Sequence, residues 1–136
     1  MASFNDQIIE EFRANEGRVG GMFEGAPLLL LTTTGRKSGE PRVSPLVHSG
    51  AADGDGYVIA ASKAGADTHP AWFLNIQADP AVRVEVGTET FGAHARIAGP
   101  EERDRLWEAH VATMPNFRDY EKATSRVIPM VVLERE

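Results

Sequence analysis

Residues 27–48 run PLLLLTTTGRKSGEPRVSPLVH, and this stretch decides the fold. From Pro27 to Leu31 the chain is apolar without alternation, and Thr32, Thr33 and Thr34 prolong it with β-branched side chains. A continuous apolar run of strand length followed by threonines predicts a strand, Pro27 to Thr34, covered on both faces. Gly35 to Glu40 is turn sequence, and Arg42 to His48 resumes as a second strand. The two form an antiparallel hairpin with a charged tip.

Upstream of the hairpin, Ser3, Asn5 and Asp6 offer helix caps, and Phe4, Ile8 and Phe12 recur at helical spacing. They predict an amphipathic helix from Ser3 to about Asn15, followed by a connector rich in glycine (Gly17, Gly20, Gly21, Gly25). Downstream, Asp53-Gly54-Asp55-Gly56 is a turn into a third strand, Tyr57 to Ser62. Pro70 suits the first turn of a short helix, Ala71 to Gln77, which Asp79-Pro80 ends. Val82, Val84 and Val86 alternate with Arg83 and Glu85 as a half-buried strand. After Gly87-Thr88, Phe91, Ala93, Ala95 and Ile97 alternate with Gly92, His94 and Arg96 as its neighbour. A helix from Pro100 to about Thr113, a shorter one from Asn116 to Thr124, and an apolar strand from Val127 to Leu133 complete the order.

Strands joined by tight turns pair antiparallel, so the expected architecture is α+β with a closed or nearly closed barrel. The 136 residues suffice for one domain and its core. That domain is expected over 1–136, with the helix at 1–15 and the barrel with its ligand region at 27–133.

Composition narrows the chemistry. There are no cysteines, which excludes disulfides, thiolate metal sites and a cysteine nucleophile. His48, His69, His94 and His110 lie far apart and match no metal-ligand spacing, so no metal is expected. No Gly-x-Ser-x-Gly elbow or Walker-type loop occurs, and Gly54 and Gly56 precede a strand rather than opening a helix. No apolar run approaches the roughly 18–20 residues that span a bilayer. Without a recognisable leader, the expected location is the cytoplasm. A net charge of −6 argues against general attraction to nucleic acid. Against that acidic background, Arg36, Lys37 and Arg42 face only Glu40, and Lys63 adds a cation after the third strand. Two glycines beside three cations let backbone N–H groups and side chains converge on a small anion.

The ordered set Gly35-Arg36-Lys37-Ser38-Gly39, Pro41-Arg42-Val43, Pro45-Leu46, Ala60-Ala61-Ser62-Lys63 and Pro70-Ala71-Trp72-Phe73-Leu74-Asn75 resembles the deazaflavin-dependent nitroreductase family. Asp79-Pro80, the Arg103 to Trp107 helix, Asp119-Tyr120 and Ile128-Pro129 continue the likeness in the same order. The resemblance implies a split β-barrel of the FMN-binding type, mainly antiparallel with flanking helices. It implies the reduced 8-hydroxy-5-deazaflavin coenzyme F-420, with its phosphate and oligoglutamate tail, as hydride donor. It implies that Arg36, Lys37, Arg42 and Lys63 hold the phosphate and tail, and that Pro45, Ala61 and Ser62 lie along the ring. Trp72 and Asn75 would lie on the helix over the coenzyme. Ser62 and Tyr120 are the implied catalytic residues, Tyr120 being equally readable as packing against the barrel. Met114, Phe117 and Tyr120 match a substrate pocket that carries several tyrosines in the family's nitroimidazole-activating member. Two apolar side chains there favour quinones or conjugated enones over nitroimidazoles. The expected partner is a small-molecule electron acceptor, with the chain a monomer or a homodimer. The rival readings are an FMN-dependent reductase or oxidase on the same fold, and a non-catalytic deazaflavin-binding protein.

Overall fold

The structure, a computed structural model, describes residues 4–17, 19, 28–50, 56–62, 69–125 and 127–135. Six strands close into one antiparallel barrel in the order β1-β2-β3-β6-β5-β4, where β1 is Leu28–Thr34, β2 Pro41–Gly50, β3 Gly56–Ala60, β4 Ala81–Val86, β5 Glu89–Ile97 and β6 Met130–Arg135. Four helices flank it: α1 Phe4–Ala14, α2 Ala71–Ala78, α3 Pro100–Thr113 and α4 Phe117–Ala123. The expected α+β split barrel is therefore the fold. Among the described residues no helix is long and apolar enough to cross a membrane.

Strand alternation sorts the core into one interior and two exterior layers. Leu29 and Leu31 of β1, Ile59 of β3, Val82 and Val84 of β4, Ala93 and Ala95 of β5, and Val131 and Leu133 of β6 fill the interior. Leu28 and Leu30 face the other way, beneath Ile8 and Phe12 of α1. This is why β1 is apolar at every position. Val58, Ala60, Met130 and Val132 form a second outer face under Leu106, Trp107 and Val111 of α3. On β4 and β5, Arg83 and His94 are exposed, so that sector keeps the apolar-polar alternation of a half-buried sheet.

Helix α2 is apolar almost throughout and seats Trp72, Phe73 and Ile76 against the interior cluster. It packs against β1, which places it beside the root of the β1–β2 hairpin.

Several boundaries differ from the sequence expectation, including β3, which ends at Ala60 rather than Ser62. β6 begins at Met130 rather than Val127, and Val127 is 70% exposed. Pro129 has no N–H to donate, and its carbonyl instead accepts from Ala61 N–H at 2.9 Å. β6 then runs on to Arg135, whose guanidinium lies 4.2 Å from the Phe91 ring centroid on β5. β2 extends to Gly50 because His48, Ser49 and Gly50 pair with β3. Ile97, expected to face inward, is 43% exposed at the end of β5. The first residues of the predicted N-terminal cap, most of the glycine connector and the Asp53 to Asp55 turn lie outside the described residues.

Candidate active site

Hydrogen bonds fold the hairpin tip into a compact loop. Gly35 N–H donates to the Glu40 carbonyl, and Gly39 N–H to the Gly35 carbonyl, both at 2.8 Å. Glu40 N–H donates to Ser38 Oγ at 3.2 Å instead of completing the rung with Gly35. Gly39 has φ +73°, a conformation that side chains disfavour. A Cβ on Gly35 would stand 2.7 Å from Ser38 Oγ and 3.2 Å from the Glu40 carbonyl oxygen. Glycine at 35 is what lets the loop close this tightly.

The loop and α2 enclose a cavity of about 250 Å³ lined on the hairpin side by Arg36, Lys37, Ser38, Arg42 and Ser44, and on the helix side by Trp72 and Asn75. Its cations are poorly neutralised. Among the described residues neither Arg36 nor Lys37 has an ion-pair partner, and Arg42 reaches only Glu40, at 4.0 Å with both side chains exposed. Arg13, Arg96, Arg118 and Arg135 are, by contrast, each paired with a carboxylate. Unneutralised positive charge around a concave surface attracts anions.

The sequence-predicted residues do not all gather there. Arg36, Lys37, Arg42, Trp72 and Asn75 line this cavity. Pro45 is half-buried and paired with Leu30, on the strand face opposite Ser44. Ala61 and Ser62 are buried just beyond β3, and the Ala61 N–H is committed to Pro129. Lys63 lies outside the described residues.

Met114, Phe117 and Tyr120 belong to the layer between α3, α4 and the outer faces of β3 and β6. Met114 and Phe117 are buried, and only Tyr120 keeps appreciable surface. Phe117 stands edge-on to His110, with centroids 4.5 Å apart, and to Tyr120 at 5.0 Å. His110 is wholly buried, and its Nδ1 is 3.0 Å from Ser49 Oγ on β2.

Burial, helped by the nearby His48, pushes His110 down to about 4, and burial lowers His48 as well. Both imidazoles are therefore neutral in the fold at pH 7. The unfolded chain takes up those protons near its ordinary value of 6.5, so stability is full above that pH and is lost as pH falls toward 4. Between pH 7.5 and 5.5 the His110 contribution alone should cost about 1.4 kcal/mol. Urea unfolding at the two pH values measures it, and His110→Leu should flatten most of the slope. Equal slopes in the two proteins would assign the acid sensitivity to other groups.

Comparison with known proteins now bears on the site. The model of the F420H(2)-dependent quinone reductase family matches residues 6–135. The chain belongs to this family. An F420H(2)-dependent quinone reductase of Mycobacterium tuberculosis is 42% identical over 128 residues, which cover 91% of this chain and 85% of the relative. The solved structure of an F420-H2 dependent reductase, FDR-A, is 37% identical and superposes with a TM-score of 0.72, covering 79% of this chain and 94% of the other. A solved domain-swapped dimer is likewise 37% identical with a TM-score of 0.72, covering 79% of this chain and 80% of its own.

As a member of the F420H(2)-dependent quinone reductases, the protein is an oxidoreductase that draws on reduced coenzyme F-420. Two polar side chains of its cavity escaped sequence reasoning. Ser44 shares a strand face with Arg42, so counting by two along β2 would have found it. Ser38 sits inside the Gly35 to Gly39 motif but reads as ordinary turn composition. Thr33 and Ser49, both buried and both bonded to distant side chains, carried no signal that could be read locally.

Proposed function

We propose that the cavity between the hairpin tip and α2 receives the phosphate and adjoining tail of reduced F-420, and that the ring lies toward Pro45, Ala61, Ser62 and Trp72. The observation that carries this reading is the set of exposed cations around one cavity of an acidic chain, Arg36 and Lys37 with no carboxylate partner among the described residues and Arg42 with only a long contact to Glu40. At about 250 Å³ the cavity suits an anionic group rather than a whole coenzyme. Arg36 and Arg42 would supply planar forks to phosphate or carboxylate, and Lys37 a mobile point charge. Lys63 is proposed to join them. When bound, the coenzyme supplies the hydride. The chain's part is to hold it, orient one face and keep water away.

Ser62, 7% exposed just after β3, is proposed to hydrogen-bond the ring. Tyr120 is proposed as the polar contact or proton donor toward the acceptor, because of Met114, Phe117 and Tyr120 it alone keeps appreciable surface. The acceptor class proposed is a quinone or an activated alkene, with nitro compounds turned over less well, since Met114 and Phe117 offer no hydroxyl. A homodimer is proposed as the assembly, in line with the relative solved as a domain-swapped dimer. The cytoplasm is proposed as the compartment, where a hydride donor consumed in each turnover can be re-reduced by metabolic dehydrogenation.

Fluorescence quenching on titration with oligoglutamyl F-420 and, in parallel, with FMN tests the reading. F-420 is expected to bind far more tightly, and to weaken as salt rises because partly exposed charge pairs are screened. Equal affinity for FMN, which lacks the tail, or salt-independent binding would remove the claim.

A further inference from the structure

The amide of Asn75 makes a connection that the family resemblance does not describe. Asn75 is only 6% exposed, on a helix whose buried face is otherwise Trp72, Phe73 and Ile76. A buried amide among apolar side chains is costly unless both of its ends are bonded. Both are. Nδ2 donates to Thr33 Oγ1 at 3.1 Å, and Oδ1 accepts the backbone N–H of Arg36 at 3.1 Å. Thr33 is 2% exposed and belongs to the inward set of β1 with Leu29 and Leu31. It does not line the cavity.

From these bonds we infer that Thr33 and Asn75 form a brace setting the conformation of the hairpin tip, with Asn75 acting as a positioning residue for the cationic loop. The inference rests on the coenzyme site proposed above. Arg36 is where the loop leaves the strand ladder. The bonds closing the loop use Gly35, Ser38, Gly39 and Glu40, and among the described residues the N–H of Arg36 is held by Asn75 alone. Without that bond, Arg36 and Lys37 would hang on a turn fixed only by its own short-range contacts. With it, the direction of the loop is tied to α2, so the helix wall and the cationic wall of the cavity keep a constant separation. A binding site gains affinity when its groups are held before the ligand arrives.

Thr33 separates bracing from direct contact because it touches Asn75 and not the cavity. Thr33→Val keeps the shape and removes the hydroxyl, Thr33→Ser keeps the hydroxyl, and Asn75→Leu removes the amide at similar volume. Amide hydrogen exchange at Arg36 is measured first, without coenzyme. It should speed up in Thr33→Val and Asn75→Leu and stay slow in Thr33→Ser. Steady-state kinetics follow. Thr33→Val should raise the KM for reduced coenzyme on the order of tenfold, with kcat within about twofold, and Thr33→Ser should restore the KM.

Normal KM and slow Arg36 exchange in Thr33→Val would overturn the brace. So would Asn75→Leu weakening binding while Arg36 exchange stays slow, which would make Asn75 a direct ligand. If Asn75→Leu does not fold, the two Thr33 variants decide alone. Exchange without coenzyme reads the brace, whereas Lys37→Ala titration reads the cavity, so failure of one is not mistaken for failure of the other.

Discussion

Trp107→Ala is expected to remove about 3–5 kcal/mol of folding stability, the range for deleting a large aromatic from a core. Trp107 is 1% exposed and lies where α3 meets the outer faces of β3 and β6. The Arg103 guanidinium sits 5.0 Å from its ring centroid, and the ring stacks on His110 and stands edge-on to Phe117. Truncation would therefore open a cavity bordered by two helices and two strands, with little chance of collapse. The Trp107 Nε1–H is buried with no acceptor among the described residues. Trp107→Phe should consequently lose much less, because part of the lost packing is offset by removing an unpartnered donor. Urea unfolding of the two variants measures both values. A loss below about 1 kcal/mol in Trp107→Ala would mean that α3 settles onto the barrel without this side chain.

The second large effect concerns affinity. Lys37→Ala combined with Arg42→Ala should weaken F-420 binding at least a hundredfold, since each charge-assisted bond to an anion contributes roughly 1.5–3 kcal/mol. Lys37 on the tip loop and Arg42 at the start of β2 line one cavity, so their effects need not add. Folding stability should change by no more than about 0.5 kcal/mol, because both side chains are exposed and only a long Arg42–Glu40 contact is lost. The salt dependence of binding should become shallower in the double variant, as fewer charges remain to be screened. Coenzyme titration at two ionic strengths, with urea midpoints as the control, checks all three. Unchanged affinity in a well-folded double variant would move the anion site elsewhere.

Much of this was legible beforehand, for identifiable reasons. The unbroken apolar run of β1, the alternation of β4 and β5, and the turn residues between strands are local signals, and each matches its element within a residue or two. The cationic tip was visible because three basic residues and two glycines within eight positions are unusual on an acidic chain. The start of β6 was misjudged because Val127 is apolar. Its exposure depends on where Pro129 meets Ala61, two segments far apart in sequence.

The sequence by itself determined the kind and order of the elements, the antiparallel pairing and the place where charge collects. Periodicity and turn chemistry act over a few residues, so the chain states them wherever they occur. Only the tertiary structure decided what those elements do to one another. Asn75 reaches back 42 residues to Thr33, and His110 lies 61 residues from Ser49. Nothing near Asn75 distinguishes a ligand from a brace, because that depends on which strand the closed barrel brings beneath it. His110 shares its helix face with Leu106, Trp107 and Val111, but only the closed barrel brings Ser49 of β2 against its imidazole.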